Sequence, residues 1–470
     1  MDLVRFYAPL ATTAILMMAS HSLGTLAMNR TAINPALALA SFSVAQALGQ
    51  LFEGLTSVSR QTGMALVKDR QSWAVLVRLF KLTVAAILVV TTVIAFTPLG
   101  SVVFHVIMGA PADVAAEATK VFRIYMLLPA ITALRFLHHS IIILRKKTIV
   151  TTAAMAARIA YMAVATAIFI AHPVPWEGIV GTIVLIGGIG VEALGSFLAG
   201  RRLVPGLDTL YATGERKGGR TGTSGNDEGG SVRGTPLTLA AATRFYAPLA
   251  ASGFVSNLAR MAISAGLART LDPKMALAAY QVSWTIAWMF ISPLQTLHQV
   301  TLVFAKGADS SARVRRFALA VGAGGAVLIA AFCLTGAARF VLARWLDVAP
   351  ELIVPALWSM GLMAGAPLIV VCSEIFTGGL LAAGDSVAIG TGRTLYVVLT
   401  TITALAGAAV LPALGAVLAP ISQVVGFAGE MVFLWARARR MLGPEHRRLI
   451  PAIGAVARLR YGQRDAVSRP

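Results

Sequence analysis

The chain has 470 residues, of which 57% are hydrophobic and 13% are charged, and its formal net charge is +20. A soluble domain carries about 25% charged residues, so this composition excludes an ordinary soluble protein and indicates an integral membrane protein. The positive charge does not indicate nucleic-acid binding, because the basic residues sit beside apolar stretches and no zinc-ligand or RNA-recognition motif accompanies them.

A repeated heptapeptide predicts an internal duplication. The sequence Arg-Phe-Tyr-Ala-Pro-Leu-Ala occurs at residues 5–11 and again at 244–250, and each copy opens a long apolar stretch. A chance match of this length is very rare, so one unit of roughly 200 residues is predicted to be present twice. The predicted parts are an N-terminal bundle over 1–205, a cytoplasmic flexible linker over 206–243, a C-terminal bundle over 244–440 and a basic cytoplasmic tail over 441–470.

Each half contains six apolar stretches that are long enough to cross a hydrocarbon core of about 30 Å as helices. They lack the alternation of a transmembrane barrel. The predicted fold is therefore an all-α membrane protein with about twelve transmembrane helices in two six-helix bundles, related by a pseudo-two-fold axis along the membrane normal. The predicted spans are 6–27, 36–67, 79–98, 122–144, 149–171 and 179–200, then 245–267, 275–304, 317–341, 352–382, 389–411 and 417–435.

The distribution of lysine and arginine predicts the orientation in the membrane. Basic residues follow every second span, as Lys68, Arg70, Arg201, Arg202 and Arg437 illustrate, while the opposite loops are short and poor in them. By the positive-inside rule both termini and the linker are expected in the cytoplasm. We expect a multi-pass protein of a bacterial cytoplasmic membrane.

Charged residues inside predicted spans are costly and therefore informative. Three positions are charged or titratable in both copies, which predicts ion pairs within each half: Arg158 with Glu192, and Arg393 with Glu430 or Glu374. Both a structural role and a role in binding a coupling ion or the substrate are open for them. The matched residues are Arg158 and Arg393, Glu192 and Glu430, and His139 and Glu374.

Polar stripes on spans two, seven and eight differ between the copies. They fit either a hydrogen-bonded helix interface or a central cavity between the halves. In the second interpretation arginine and histidine would bind an anion, since arginine suits carboxylate and phosphate oxygens, and Glu53 would titrate. Pro293 is expected to bend or break span eight. The candidate substrate-binding residues are Arg60, Arg260, His298, Asn257, Gln295 and Glu53.

Metal, cofactor and enzyme signatures are missing from the sequence. Cys333 and Cys372 lie inside spans without ligand spacing, and His138 and His139 point about 100° apart on a helix. No P-loop, GxSxG or HExxH motif occurs. We expect neither a metal site nor a cofactor, and no enzyme activity.

Several short stretches resemble the progressive ankylosis protein family, a branch of the multidrug/oligosaccharidyl-lipid/polysaccharide (MOP) exporter superfamily. They are Ala27-Met-Asn-Arg-Thr-Ala32, the span over 40–70, Thr377-Gly-Gly-Leu-Leu381, and Val410-Leu-Pro-Ala-Leu-Gly415 followed by Gly429-Glu430. The resemblance covers both halves but neither the linker nor the tail.

The resemblance implies two six-helix bundles arranged as a V, alternating access, and export of small polyanions such as pyrophosphate, citrate or nucleotides. It places Asn29 and Arg30 in the family's Asn-Arg stretch, which adds Arg30 to the candidate binding residues. The second copy, Leu267-Ala-Arg269, lacks the asparagine, and the tail is basic where animal members have an acidic one.

Four functions compete at this stage. The first is a transporter for a small organic or phosphorylated anion, coupled to a proton or sodium gradient or driven by the substrate gradient. The second is a flippase for an anionic lipid-linked precursor or polysaccharide unit. The third is a cation-coupled multidrug exporter with its proton on Glu53, Glu374 or Glu430, which the excess of arginine disfavours. The fourth is a membrane scaffold. The sequence does not fix the oligomeric state.

Overall fold

The computed structural model describes residues 2–145, 147, 149–206, 237–304, 308–382 and 385–441. Within these ranges the chain forms helices and no β-strand. Most of the predicted linker, 207–236, and the predicted tail after residue 441 lie outside the described residues.

Six long helices precede the undescribed segment 207–236 and six follow it. In the N-terminal half they are α1 Asp2–Thr31, α2 Pro35–Leu66, α3 Arg70–Phe96, α4 Ala112–Leu144, α5 Ile149–Ala171 and α6 Glu177–Leu203. In the C-terminal half they are α7 Leu239–Leu267, α8 Pro273–Ile291 continued by Leu297–Phe304, α9 Ala308–Leu334, α10 Pro350–Leu381, α11 Ser386–Val410 and α12 Leu418–Met441.

The helices have the dimensions of membrane spans. Among the described residues ten are long and apolar enough to cross a bilayer, and α8 makes an eleventh if its two pieces, bent by 43°, are counted together. The bend falls at Pro293, as expected. Helix α7 has 29 residues but is less apolar because it carries Arg244, Asn257 and Arg260. The protein is therefore an all-α, multi-pass integral membrane protein.

The duplication extends to the residues that start helices and shape loops. Asn34 caps α2 and Asp272 caps α8, and a proline follows each cap in the first turn, where its missing N–H needs no partner. After α3 and after α9 the chain forms a short helix that ends in a π-helical turn. Gly109 and Asp347 then adopt positive φ angles of 76° and 51°, which glycine and aspartate tolerate better than most residues.

Helices α1 and α7 each cross from one half to the other. We call the end of the molecule where they begin the near end and the end where they finish the far end. The last turns of α1 pack on their own half, where Thr166 of α5 donates a hydrogen bond to the Leu23 carbonyl. The first turns of α7 pack instead in an N-terminal hydrophobic cluster with Trp73 and Phe80. These crossings place α1, α2, α7 and α8 between the two bundles.

Helices α2 and α7 approach each other closely across the halves. A methyl group on Gly54 would lie 2.5 Å from the Gly253 carbonyl oxygen and 2.8 Å from the amide nitrogen of Asn257. Backbone atoms cannot rotate away from such a clash, so only glycine fits this crossing. The contact fixes how far apart the halves lie beside the polar face of α7.

We expect Gly54→Val to lower stability, because its side chain must push α2 and α7 apart at a cost of about 1–3 kcal/mol. Gly324→Val is the matched control, since a methyl group there meets nothing within 4 Å among the described residues. Thermal unfolding in detergent should show a lower Tm for Gly54→Val than for Gly324→Val. Equal Tm values would show that the crossing is not tightly packed.

Candidate functional site

A cavity of about 430 Å³ lies between the two halves. Its wall comes from α1, α2, α4, α5, α6, α7 and α8, with one residue each from α11 (Tyr396) and α12 (Gln423). The lining side chains that carry or can accept charge are His21, Glu53, Arg135, Arg158 and Arg260.

Arg260 of α7 is a buried cation that has no carboxylate partner among the described residues. Its side chain is 8% exposed. Its Nη2 donates to the amide oxygens of Gln46 at 2.5 Å and Gln281 at 3.1 Å, while its guanidinium carbon lies 3.8 Å from the centre of the Trp284 ring. Its Nε and Nη1 have no hydrogen-bond partner. A buried charge with unused donors is costly unless something compensates it.

The N-terminal wall of the cavity carries two arginines that share one carboxylate. Arg135 and Arg158 both donate through Nη1 to the same Glu192 oxygen, at 2.9 Å and 3.1 Å. Arg158 also donates to the Ser20 hydroxyl at 2.8 Å, and His139 Nε2 lies 4.0 Å from the other Glu192 oxygen. One carboxylate neutralises only one of two guanidinium groups, so this cluster faces the cavity with positive charge in excess.

Glu53 is the acidic residue that lines the cavity directly. Its Oε1 accepts a hydrogen bond from the Thr132 hydroxyl at 2.9 Å, and it has no ion pair within 4 Å among the described residues. Three guanidinium groups therefore stand against two carboxylates, Glu53 and Glu192, around the cavity. The site as a whole is suited to an anion.

Aromatic rings cover the part of the cavity next to Arg260. His21 meets Trp284 edge to face at 5.8 Å, and Trp288 lies 6.0 Å from Trp284. The Trp288 indole N–H is buried without a hydrogen-bond partner. The wall thus offers one more donor, beside ring faces that exclude water and strengthen the charges next to them.

The C-terminal half contains an ion-pair cluster in the matching place. Arg393 lies 3.3 Å from Glu430 and 3.7 Å from Glu374, and His298 Nδ1 lies 2.6 Å from Glu374. Glu374 and Glu430 are buried. Their two carboxylates face one arginine and one histidine, so this half lacks the excess of arginine seen in the other.

The structure does not group Arg60, Arg260 and His298 as the sequence analysis expects. Only Arg260 lines the cavity. Arg60 follows the turn at Val58 within α2, is exposed and does not line the cavity; its guanidinium carbon lies 5.1 Å from the centre of the Phe136 ring. His298 follows the bend at Pro293 and pairs with Glu374.

The remaining candidates divide between the cavity and the far end. Asn257 and Gln295 line the cavity, and Asn257 donates to the Gln50 carbonyl at 2.8 Å. Arg30 lies at the far end, 3.7 Å from Asp347 of the other half. The expected part of Arg30 in the binding site thus needs correction, since α1 carries it past the cavity.

Arg135 is the cavity residue that the sequence analysis missed. No charged residue in the second copy matches Arg135, so the charges that recur in both copies do not include it. A sufficient signal was present, because Arg135 precedes His139 by one helical turn and so shares its face. His21 occupies in the first copy the place that Arg260 occupies in the second, and both line the same cavity.

A second, shallower pocket of about 380 Å³ lies at the near end between α11 and α12. Asp385 caps α11, and Arg437 donates to its carboxylate at 2.7 Å. This hydrogen bond holds the pKa of the Asp385 carboxyl below its usual range. The pair neutralises itself, and Arg440, which also lines the pocket, is exposed, so among the described residues this pocket holds no buried charge like that of Arg260.

The fold and the central cavity define the class of protein to which the chain is similar, that of the MOP-superfamily transporters. An inward-facing MATE-family multidrug resistance transporter superposes with a TM-score of 0.64 at 12% identity, over 92% of this chain and 98% of that one. The lipid II flippase MurJ in an inward closed conformation gives 0.60 at 10% identity, over 92% and 87%. A MOP transporter from Pyrococcus furiosus gives 0.50 at 15% identity, over 92% and 95%.

Within this superfamily, one protein family is indicated by a match to part of the chain. Residues 1–186 match the model described as Progressive ankylosis protein (ANKH). This match confirms the resemblance over the N-terminal bundle, where the Asn29-Arg30 stretch and Glu53 lie. Among curated protein sequences, none matches the chain significantly.

We expect Glu192→Gln to be strongly destabilising, because it leaves Arg135 and Arg158 buried together without a counter-charge, a loss of about 3–5 kcal/mol. Asp385→Asn is the control: it removes a carboxylate from a single pair whose arginine is 45% exposed, but keeps an acceptor for the helix cap. Thermal unfolding in detergent should separate the two variants clearly. If Glu192→Gln unfolds at the same temperature as Asp385→Asn, the triad does not stabilise the bundle.

Proposed function

We propose that the protein is an alternating-access transporter that exports a small organic or phosphorylated anion through the central cavity. The observation that carries this proposal is Arg260, a buried guanidinium whose Nε and Nη1 have no partner among the described residues. The free-energy cost of burying this charge falls when an anion accepts hydrogen bonds from those two donors. A substrate would therefore complete the packing between the halves.

The opposite wall supplies the second anchor. Arg135 adds a guanidinium that must share Glu192 with Arg158, and its Nε is also buried without a partner. An anion with charge at two ends, of the pyrophosphate, citrate or nucleotide kind, would engage both walls at once. The volume of about 430 Å³ falls within the range of about 300–1,000 Å³ that is usual for small-molecule pockets.

Transporters of similar fold differ in the charge of their binding pockets. The MOP-superfamily transporter from Pyrococcus furiosus is described as having a binding pocket of reverse polarity, which suggests a different function for it. A polycationic cavity in a transporter of this fold would thus be a variation within the superfamily. The positive charge of the cavity disfavours an exporter of cationic drugs, because Arg260 would repel them.

We place the near end in the cytoplasm, because Lys68, Arg70, Arg201, Arg202 and Arg437 lie there. Export would then load the anion from the near end and release it at the far end. Rocking of the two bundles about the cavity would alternate access, as in other transporters built from repeats. We assign Arg158, Glu192, Arg393, Glu430, Glu374 and His139 to holding each bundle rigid, and a proton or sodium ion remains the candidate for coupling.

A flippase is the second candidate, since MurJ shares the fold. In that case the arginines of the cavity would bind an anionic headgroup while the lipid tail stayed in the bilayer. The closed wall of rings beside Arg260 favours a soluble solute. Flux assays that include both kinds of substrate distinguish the two.

Arg260→Gln should reduce anion flux at least about a hundredfold, because it removes a charge-assisted contact that a buried site makes strong. The assay is uptake of labelled pyrophosphate, citrate and ATP into proteoliposomes, beside a cationic dye and a fluorescent anionic lipid. Arg339→Gln, which removes an exposed arginine at the far end, should leave flux unchanged.

Anion flux that survives Arg260→Gln for every solute would refute the proposed site. Lipid scrambling without anion flux would establish the flippase. Dye transport without anion flux would establish the drug exporter.

Glu53→Gln should lower the KM for a polyanion by severalfold, because it removes a negative charge from the cavity wall while keeping an acceptor for Thr132. The concentration dependence of uptake measures the change. Glu117→Gln, which alters a carboxylate paired with Lys120 away from the cavity, is the control. A raised KM for Glu53→Gln would mean that Glu53 binds a cation during transport.

A further inference from the structure

The repeated heptapeptide has a structural role that the transport site does not explain. Tyr7 in the first copy and Tyr246 in the second both point across to the opposite half. Tyr7 of α1 meets Phe317 of α9 edge to face, with ring centres 5.7 Å apart. Tyr246 of α7 meets Phe80 of α3 in the same way at 5.3 Å.

The two contacts are related by the duplication. Phe80 and Phe317 occupy matching places near the start of the third helix of each half, each shortly after an arginine. Tyr7 and Tyr246 are equivalent positions in the two copies, and so are the phenylalanines that they contact. The two ring pairs are therefore the same contact made once in each direction between the halves. Both tyrosines are buried, at 8% and 6% exposure. A seven-residue identity maintained at these two places fits a contact that both halves must make.

Both contacts lie at the near end and hold crossing helices. The last turns of α1 belong to the N-terminal half, while Tyr7 near its start packs on the C-terminal half. Helix α7 does the reverse: Gly266 near its end lies so close to α11 that a methyl group would be 2.7 Å from the Ala404 carbonyl oxygen. If α1 and α7 each move with the half that holds their last turns, separation of the halves at the near end breaks both tyrosine contacts.

We propose that the pairs Tyr7–Phe317 and Tyr246–Phe80 are two reciprocal latches that keep the cavity closed at the near end. Their release opens the cavity to that side. Edge-to-face ring pairs are strong enough to bias such an equilibrium yet weak enough to break during a transport cycle. The proline two residues after each tyrosine leaves one carbonyl of its helix without the usual partner, so the first turns can bend away from the rest.

The far end is held by contacts of a different kind. Arg30 pairs with Asp347, and Arg269 donates to the carbonyls of Ile107 and Met108 at 2.8 Å and 2.9 Å. These contacts are also reciprocal, because each arginine lies at or just after the end of a crossing helix and reaches the end of the π-helical turn of the other half or the residues that follow it. Loss of the near-end rings leaves them intact, so only near-end access should change.

The test measures access to the cavity directly and needs no substrate. A reporter thiol is placed by Ser292→Cys, since Ser292 lines the cavity and is buried, in a chain whose two cysteines carry Cys333→Ala and Cys372→Ala. Tyr7→Leu with Tyr246→Leu keeps apolar bulk but removes both ring pairs. Labelling by a membrane-impermeant maleimide should become about tenfold faster, the shift that the loss of two such pairs gives.

Phe122→Leu is the matched control. Phe122 meets Phe104 edge to face at 5.8 Å within one half, so its loss should lower stability without raising the labelling rate. Phe80→Leu with Phe317→Leu breaks the latches from the other side and should act like the tyrosine pair. If both latch variants label no faster than Phe122→Leu, the latch proposal is wrong, while the anion site at Arg260 is unaffected.

Conservative variants test the ring contact separately from the hydroxyl. The Tyr246 hydroxyl donates to the Leu55 carbonyl at 2.6 Å, whereas the Tyr7 hydroxyl has no hydrogen-bond partner among the described residues. Tyr7→Phe should leave the labelling rate unchanged, and Tyr246→Phe should raise it by less than Tyr246→Leu. Equal effects of Tyr246→Phe and Tyr246→Leu would overturn the role of the rings.

Discussion

The buried guanidinium of Arg260 is the constraint around which the centre of this protein is arranged. It lies between the halves on a helix that crosses from one to the other, and the side chains around it offer two amide oxygens and an indole face but no carboxylate. On the facing wall, Arg135 and Arg158 divide a single carboxylate. The described part of the chain therefore carries positive charge at the cavity that the carboxylates described there do not neutralise, which suits an anion site.

The duplication separates what supports the fold from what performs the function. Positions that are alike in both copies build the scaffold: capped helix starts, π-helical turns, ion-pair clusters and the tyrosines of the near end. Positions that differ form the cavity, as His21 in one copy and Arg260 in the other show. Two similar bundles thus create an asymmetric pocket, and their crossing helices connect that pocket to both ends of the molecule.

Much of the fold could be predicted from composition and repetition. The length and apolarity of the spans predict the helices, and the repeated heptapeptide predicts the two halves. The break at Pro293 was also predictable, because proline has no backbone N–H to donate to the helix. The neighbours of Arg158 and Arg393 followed from charges that recur in both copies, since buried charges need partners.

The composition of the site was less predictable. Arg60 and Glu53 share a helical face by spacing, but only Glu53 lines the cavity, because Arg60 lies two turns further along α2 toward the near end. Arg135 has no counterpart in the second half, so comparison of the copies did not single it out. Which loop meets Arg30 depends on how the halves pack, and spacing along one helix contains no information about that.

The most direct test is a structure determined by cryo-electron microscopy with a saturating polyanion, citrate or pyrophosphate. The account predicts ligand density in the central cavity within hydrogen-bond distance of the Arg260 guanidinium, with a second anionic group near Arg135. Density confined to the protein surface, or a lipid headgroup entering between helices from the bilayer, would contradict it.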